Sequence, residues 1–109
     1  GNGKTKREMI YVKDLADACI FFMKKKTKEK IINIGTGRDY TIKDYAKRIA
    51  KIIIPGKKII FKYDHTKPNG TKRKLLDTSV AKKYGWSFKS RLDESILKTY
   101  ECFVKENHI

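Results

Sequence analysis

The sequence predicts an α/β fold with about three helices, one further short helix and two or three strands. Segments with helical spacing of apolar residues alternate with short segments typical of strands. The chain has 109 residues, of which 39% are apolar, so one domain with a modest core is expected. Two or three strands make a thin sheet for such a fold.

The first third of the chain predicts a strand, a helix and a second strand. Residues 7–12 (REMIYV) alternate in part between apolar and polar side chains, which favours a short strand. Asp14 can cap a helix over about residues 15–26, whose apolar residues share one face. The apolar run 31–34 stops at the Gly-Thr-Gly turn 35–37, which is typical of a buried parallel strand.

The middle of the chain predicts a second helix and a third strand. Thr41 and Asp44 resemble a capping box at the start of a helix that runs to about Ile53. The Pro-Gly pair 55–56 ends that helix. Residues 58–63 alternate between apolar and polar side chains, which predicts a strand.

The last third predicts a turn, a short helix and a long helix. A turn is expected at the Pro-Asn-Gly segment 68–70, because Pro fixes φ and Gly or Asn tolerates positive φ. A polar residue among 77–79 can cap a short helix that Gly85 stops. Trp86 is expected in the core, and a last helix begins at Leu92.

Basic residues dominate the charge. The chain has 27 basic and 12 acidic residues and a net charge of +15. Only five of the basic residues are Arg; the others are Lys, a strongly hydrated cation that often just coats a surface. A Lys-rich solvated surface is the favoured explanation. A small basic module that binds nucleic acid is the alternative, because such a charge attracts polyanions.

The cysteine and histidine pattern argues against a disulfide framework and a zinc site. Cys19 and Cys102 fall in apolar helical patterns, so buried free thiols in a reducing, cytoplasmic compartment are expected. His65 and His108 stand alone, so no metal site is expected. Apolar runs are too short to cross a bilayer. Because the chain begins with Gly1 and not Met, we expect a piece of a longer protein.

Two apparent cofactor motifs have simpler explanations, a strand-ending turn for Gly35-x-Gly37 and chance for Tyr63-x-x-x-Lys67. Gly35-x-Gly37 lies between a predicted strand and a helix, but Tyr40 takes the place of the third glycine of a dinucleotide fingerprint. Tyr63-x-x-x-Lys67 has the spacing of a catalytic Tyr–Lys pair, which requires a helix. Pro68 disfavours the helical conformation at the preceding residue, so this match is rejected.

The basic segment Lys72-Arg73-Lys74 is the strongest candidate site. It follows the predicted turn and precedes two leucines, 75 and 76, that can anchor it in the core. A fixed cationic clamp for a phosphate group and a solvated basic loop are both open on the pattern alone. Arg7, on a glycine-containing segment before the first strand, has the same two interpretations.

Several stretches, in order, resemble the C-terminal third of the GDP-L-fucose synthase family, a branch of the extended short-chain dehydrogenases/reductases. RE-x-x-YV-x-DLADA (7–18) and NIGTG (33–37) recur across nucleotide-sugar epimerases and dehydratases. KP-x-GT-x-RKLLD (67–77) with a following Gly-Trp pair is more specific to this branch. With the helical stretches 41–53 and 92–103, the resemblance covers nearly all 109 residues.

The resemblance implies a parent enzyme with two parts. An N-terminal Rossmann domain binds NADP(H), and a smaller C-terminal portion binds the GDP-sugar. The family converts GDP-4-keto-6-deoxy-D-mannose to GDP-L-fucose by 3,5-epimerisation and reduction by NADPH. Residues 1–109 would be the C-terminal GDP-sugar-binding portion, with 31–37 a strand of the missing Rossmann sheet.

The family's Ser-Tyr-Lys set, its Cys–His acid/base pair and its glycine-rich fingerprint belong to the N-terminal region. The resemblance therefore implies no catalytic, cofactor-binding or metal-binding residue in this chain, and the isolated chain is expected to be inactive. The parent would be a cytoplasmic homodimer that pairs through Rossmann-domain helices, with no membrane partner.

Three substrate-binding residues are also implied by the resemblance. Arg7 matches the substrate-binding Arg of the family's G-x-G-x-x-x-R segment, and Lys74 matches the Lys of RKLLD near the GDP-sugar. Asn69 stands where the family has an Asp that contacts substrate, and Lys72 where it has Pro. Arg and Lys on two loops can bracket a pyrophosphate. Another nucleotide-sugar epimerase or dehydratase, with a preference for UDP or dTDP, remains an alternative.

Overall fold

The computed structural model describes all residues from Gly1 to Ile109 and combines four helices with one small sheet. The helices are α1 (Val12–Lys24), α2 (Ile42–Ile53), α3 (Ser79–Lys83) and α4 (Leu92–Glu106), and the strands are β1 (Lys6–Arg7), β2 (Tyr40–Thr41) and β3 (Arg73–Lys74). The predicted α/β class, with three longer helices, a short helix and three strands, is confirmed.

The strands lie where the sequence did not predict them. Only β1 overlaps a predicted strand, sharing one residue with 7–12, and residues 31–34 and 58–63 form no strand. A strand exists only where another strand accepts and donates its backbone hydrogen bonds, and neither segment has such a neighbour here. Ile31 is 83% exposed. The membership of residues 31–37 in a larger sheet stays a prediction.

The sheet brings three distant segments together in the order β2-β1-β3. Strand β1 is antiparallel to β2 and parallel to β3. In this register Arg7 lies opposite Tyr40 on one side and Lys74 on the other. The Lys6 N–H donates to the Lys72 carbonyl at 2.9 Å. Strands of two residues are too short to hold a sheet on their own, so side chains must support it.

The second helix follows its sequence signals closely. The Thr41 Oγ1 accepts a hydrogen bond from the Asp44 N–H at 3.0 Å, which confirms the predicted cap. The helix ends at Ile53, and Gly56 adopts a positive φ of 78° in the turn beyond it.

The first helix begins earlier than predicted and has no side-chain cap. Its first residue is Val12, so Asp14 lies inside the first turn and the capping prediction is wrong. The Asp14 carboxylate is buried and accepts hydrogen bonds from the N–H groups of Lys89 (3.3 Å) and Ser90 (3.2 Å). Its oxygens therefore connect α1 to the segment before α4.

The predicted turn at residues 68–70 lies slightly earlier in the chain. The Lys67 N–H donates to the Asp64 carbonyl at 3.3 Å, which closes a turn over residues 64–67. Gly70 has a φ of +71°, so it still needs the left-handed conformation expected of a glycine here. Tyr63 and Lys67 lie outside any helix, in agreement with the rejection of their apparent motif.

The buried core is small. Ala18, Ala81 and Trp86 form it, and Phe88 packs against it. Trp86 is 3% exposed, and its Nε1–H donates to the Asp17 carboxylate at 3.0 Å. Only eight of the 109 residues are buried, and many large apolar side chains remain exposed. None of the four helices combines the length and the apolar character needed to cross a membrane.

The prediction that both cysteines are buried is wrong. Cys19 and Cys102 are free and exposed. Cys19 lies in a stripe of exposed apolar side chains on α1, beside Ile20 (55% exposed) and Met23 (85% exposed). Helical spacing identified the apolar side of α1, but only part of it is covered: Ala18 packs in the core, whereas Cys19 and Met23 remain exposed.

Candidate functional site

The strand pairing places two of the three predicted site residues side by side. Arg7 and Lys74 are register partners in the parallel pair β1–β3. The Tyr45 side chain, 3% exposed, donates its O–H to the Arg7 carbonyl at 2.9 Å. Burial raises the pKa of Tyr45, so this hydroxyl stays a neutral donor. Helix α2 thereby fixes the backbone that carries Arg7.

The Arg7 side chain reaches across to the loop before β3. Its Nη1 donates to the carbonyls of Lys6 and Thr71, both at 2.7 Å. A Cβ on Gly70 would lie 3.4 Å from the Arg7 Nη2, an ordinary contact distance, so glycine is favoured here by its φ of +71° and not by lack of space. The Nε and Nη2 donors remain for an anion. Lys74 is exposed and takes part in no ion pair.

Asn69 and Arg7 line one cavity of about 420 Å³. The Asn69 Oδ1 accepts a hydrogen bond from the Asn2 N–H at 2.7 Å, which joins the N-terminal segment to the loop that carries Asn69. The other walls include Lys43 from α2 and the ring of Tyr63. Lys74 lies outside this cavity, on the neighbouring strand.

The three cations at 72–74 have different roles in the structure. Arg73 makes a two-bond ion pair with Asp39, from Nε to Oδ2 at 2.6 Å and from Nη2 to Oδ1 at 3.2 Å. The Arg73 hydrogen bond lowers the pKa of Asp39, so this carboxylate stays charged. Lys72 and Lys74 are exposed. The clamp hypothesis therefore has to exclude Arg73, whose guanidinium is already occupied.

Glu8 is a residue that sequence reasoning missed. Its Oε2 accepts from the Gly37 N–H at 2.6 Å and the Thr36 hydroxyl at 3.4 Å, and its Oε1 accepts from the Leu76 N–H at 3.1 Å. The exposed backbone N–H groups of a Gly-x-Gly turn need an acceptor, which was the available signal. The partner itself, 29 residues away from Gly37, could not be read from the chain.

The Gly35-Thr36-Gly37 turn does not fit a dinucleotide. A Cβ on Gly35 would lie 2.6 Å from the Glu8 carboxylate, and the Gly37 N–H already donates to it. The turn therefore binds an internal carboxylate where a cofactor phosphate would have to lie. No group of three or more His, Cys, Asp or Glu side chains is arranged to hold a metal ion.

A larger open groove of about 1010 Å³ runs beside α2 and α4. Its walls are mostly apolar, and an ion pair between Arg48 and Asp93 (3.1 Å) joins the two helices beside it. The Arg48 guanidinium also stacks 4.8 Å from the Tyr40 ring centroid. None of the three predicted site residues lines this groove.

Comparison with protein families finds a match over the first part of the chain. A family model described as the NAD dependent epimerase/dehydratase family matches residues 1–35. GDP-L-colitose synthase from Yersinia pseudotuberculosis is 43% identical over 99% of this chain. GDP-L-fucose synthase 1 from Arabidopsis thaliana (37%) and GDP-L-fucose synthase from Escherichia coli strain K12 (35%) each match over 96%. The chain spans about a third of the length of these relatives.

Solved structures give a similar result. GDP-mannoheptose C4 reductase from Campylobacter jejuni, with NADP bound, superposes with a TM-score of 0.77 at 34% identity over 94% of this chain. UDP-glucose 4-epimerase from Thermotoga maritima, with UDP-glucose, superposes with a TM-score of 0.81 at 32% identity over 97%. About a third of each of those chains is covered, 33% and 34% respectively.

Proposed function

This chain is homologous to part of the NAD-dependent epimerase/dehydratase proteins, and from that premise we propose that it is the GDP-sugar-binding portion of a GDP-L-fucose synthase. The parent would convert GDP-4-keto-6-deoxy-D-mannose to GDP-L-fucose by epimerisation and reduction with NADPH. The observation that carries the proposal is the side-by-side placement of Arg7 and Lys74 on β1 and β3.

Arg7 and Lys74 have the chemistry required to hold a diphosphate. The Arg7 guanidinium is anchored through Nη1 and offers Nε and Nη2, while Lys74 supplies a mobile point charge on the next strand. Charge-assisted hydrogen bonds from two cations can bracket two phosphate groups. The cavity of about 420 Å³ beside Arg7 and Asn69 then offers room for the nucleoside.

The cofactor belongs elsewhere in the proposed parent. NADPH supplies a hydride when bound, but the glycine turn of this chain is filled by Glu8, so no reduction step is derived from its residues. We assign NADP(H) and the catalytic groups to the two thirds of the relatives that this chain does not span. Incubation of the chain with keto-sugar and NADPH should give no turnover above background.

The exposed apolar stripe on α1 is the natural face for that missing part. The exposed apolar residues on its outer side are Val12 (68% exposed), Leu15 (40%), Ile20 (55%) and Met23 (85%). Such a stripe is costly to leave in water. We assign it to contact with an N-terminal Rossmann domain. The parent is proposed to be a homodimer, as the family resemblance implies. It is also proposed to be cytoplasmic, since free exposed thiols suit a reducing compartment.

A GDP-L-colitose synthase is a second candidate, because that relative has 43% identity against 35–38% for several fucose synthases. Both candidates share the GDP group and differ in the sugar. A UDP-sugar enzyme is a third, since a UDP-glucose 4-epimerase is 32% identical to this chain. A basic nucleic-acid module would instead bind oligonucleotides with an affinity that falls steeply with salt.

Equilibrium dialysis with GDP and UDP at moderate salt tests the proposal. We expect GDP to bind more tightly than UDP, and Arg7→Gln and Lys74→Gln each to weaken GDP binding by about tenfold through the loss of a charge-assisted contact. Lys98→Gln on the exposed side of α4 is the matched control for the lost charge. An equal loss of GDP affinity in all three variants would mean that GDP is held by general electrostatic attraction, and it would contradict the proposal.

A further inference from the structure

The paired strands hold an unusual concentration of like charge. Strands β1 and β3 with Lys72 bring together five cations: Lys6, Arg7, Lys72, Arg73 and Lys74. Successive strand residues face opposite sides, so Lys6 and Arg73 lie on one face of the sheet and Arg7 and Lys74 on the other. Arg7 and Lys74 repel each other, and each strand has only two residues to resist the repulsion. Something other than the backbone ladder has to keep Arg7 and Lys74 in register.

Glu8 is the first of two carboxylates that do so. It directly follows Arg7, and its Oε1 accepts from the Leu76 N–H at 3.1 Å, two residues beyond Lys74. Its Oε2 accepts from the Gly37 N–H at 2.6 Å. A single side chain therefore connects the strand of Arg7, the segment after Lys74 and the glycine turn.

Asp39 is the second carboxylate, and its ion pair spans the whole sheet. Asp39 immediately precedes β2, while its partner Arg73 lies in β3. Because β1 is the central strand, the pair bridges both outer strands across the strand that carries Arg7. The Asp39 side chain is 6% exposed and makes a two-bond contact at 2.6 and 3.2 Å, which restricts how Arg73 can move.

We propose that Glu8 and Asp39 are positioning residues, which set the separation of Arg7 and Lys74 so that both cations reach one diphosphate. This inference rests on the proposed function of the site. It is supported by the Glu8 hydrogen bonds to the N–H groups of Gly37 and Leu76 and by the Asp39–Arg73 ion pair.

Electrostatics alone and positioning predict opposite results for Glu8→Gln. Removal of a negative charge beside the cations should tighten the binding of any phosphate compound if the carboxylate acts only by repulsion. Gln has one side-chain acceptor oxygen, and its NH₂ group cannot accept. It can therefore keep the hydrogen bond from the Gly37 N–H or the one from the Leu76 N–H, but not both. Positioning therefore predicts weaker GDP binding despite the more favourable charge.

The experiment measures GDP and GMP affinity of the full chain by isothermal titration calorimetry at one fixed salt concentration. GMP has one phosphate group and cannot be bracketed, but the additional charge of GDP also favours it on a basic chain. The change in the GDP/GMP affinity ratio between a variant and its charge-matched control therefore reports the spacing of the two cations. We expect Glu8→Gln and Asp39→Asn each to lower this ratio by about tenfold. Glu94→Gln on α4, where the exposed acid makes no ion pair, is the control with the same charge change.

The outcomes separate the two proposals. A wild-type chain with no preference for GDP over GMP would refute the proposed function and with it the role of both carboxylates. A wild-type preference that survives in Glu8→Gln and Asp39→Asn would overturn the positioning role alone. Amide spectra of each variant identify a loss of fold. If Glu8→Gln unfolds, Glu8→Asp is measured instead, because it keeps the charge. We expect its shorter side chain to lower the GDP/GMP affinity ratio.

Discussion

The hydrogen bond from Tyr45 to the Arg7 carbonyl gives a clean test of how α2 supports the site. Tyr45→Phe removes only the hydroxyl, which donates at 2.9 Å from a side chain that is 3% exposed. The loss leaves the Arg7 carbonyl without this donor in a partly buried place. We expect the free energy of unfolding to fall by about 1 kcal/mol, within a range of about 0.5–1.5 kcal/mol.

Urea denaturation followed by circular dichroism measures this change, and a thermal melt should show a decrease in Tm of about 4–8 °C. Tyr100→Phe is the matched control, because Tyr100 is 37% exposed and we expect a change within about 0.5 kcal/mol. An unfolding free energy for Tyr45→Phe that equals those of the wild type and the control would refute the reasoning. The phenol would then have no part in holding β1.

Further predictions concern the polar contacts around the sheet. The ordinary pKa of Asp39, 3.8, is lowered in the fold by the Arg73 hydrogen bond, so the stability from this pair is present above about pH 4 and is lost as pH falls through the lowered pKa. The free energy of unfolding, measured as pH is lowered, should therefore decrease less below pH 4 in Asp39→Asn than in the wild type. Equal decreases would contradict this prediction. Gly35→Ala should destabilise the chain by more than about 1 kcal/mol in urea, because its Cβ would lie 2.6 Å from Glu8. An unfolding free energy of Gly35→Ala within about 0.5 kcal/mol of the wild type would refute the steric argument, because the Glu8 side chain would then move aside at little cost.

The helices could be predicted because their signals are local. Thr41 and Asp44 fix the start of α2, and the apolar spacing within each helix is complete within its own residues. Gly85, at a φ of +94°, follows the end of α3 as expected. Asp14 misled the prediction of the first helix start, because a carboxylate that caps a helix and one that accepts from a distant loop look the same in sequence.

The strands were poorly predicted because pairing partners decide them. Residues 58–63 have an alternating pattern but no partner, whereas Tyr40–Thr41 and Arg73–Lys74 have no recognisable strand pattern and pair with β1. A side-chain pattern indicates which face of a strand can be buried. It does not indicate which other strand pairs with it.

The resemblance to a family predicted Arg7, Asn69 and Lys74 as site residues. Their composition does not indicate that they are neighbours, but in the structure Arg7 pairs with Lys74 and lines one cavity with Asn69. Their supports were missed for the same reason as the strands. The Leu76 N–H that donates to Glu8 is 68 residues away in sequence, and Asp39 is 34 residues from Arg73. Such contacts are products of the tertiary fold and leave no local pattern.

The proposed function requires that this chain hold a GDP group between Arg7 and Lys74. The most direct measurement is a two-dimensional amide NMR spectrum with and without GDP at moderate salt. We predict dispersed peaks and GDP-induced shifts confined to the segments around Arg7 and residues 69–74. Peaks that stay unmoved at saturating GDP, or shifts spread evenly over the lysine-rich surface, would contradict the account.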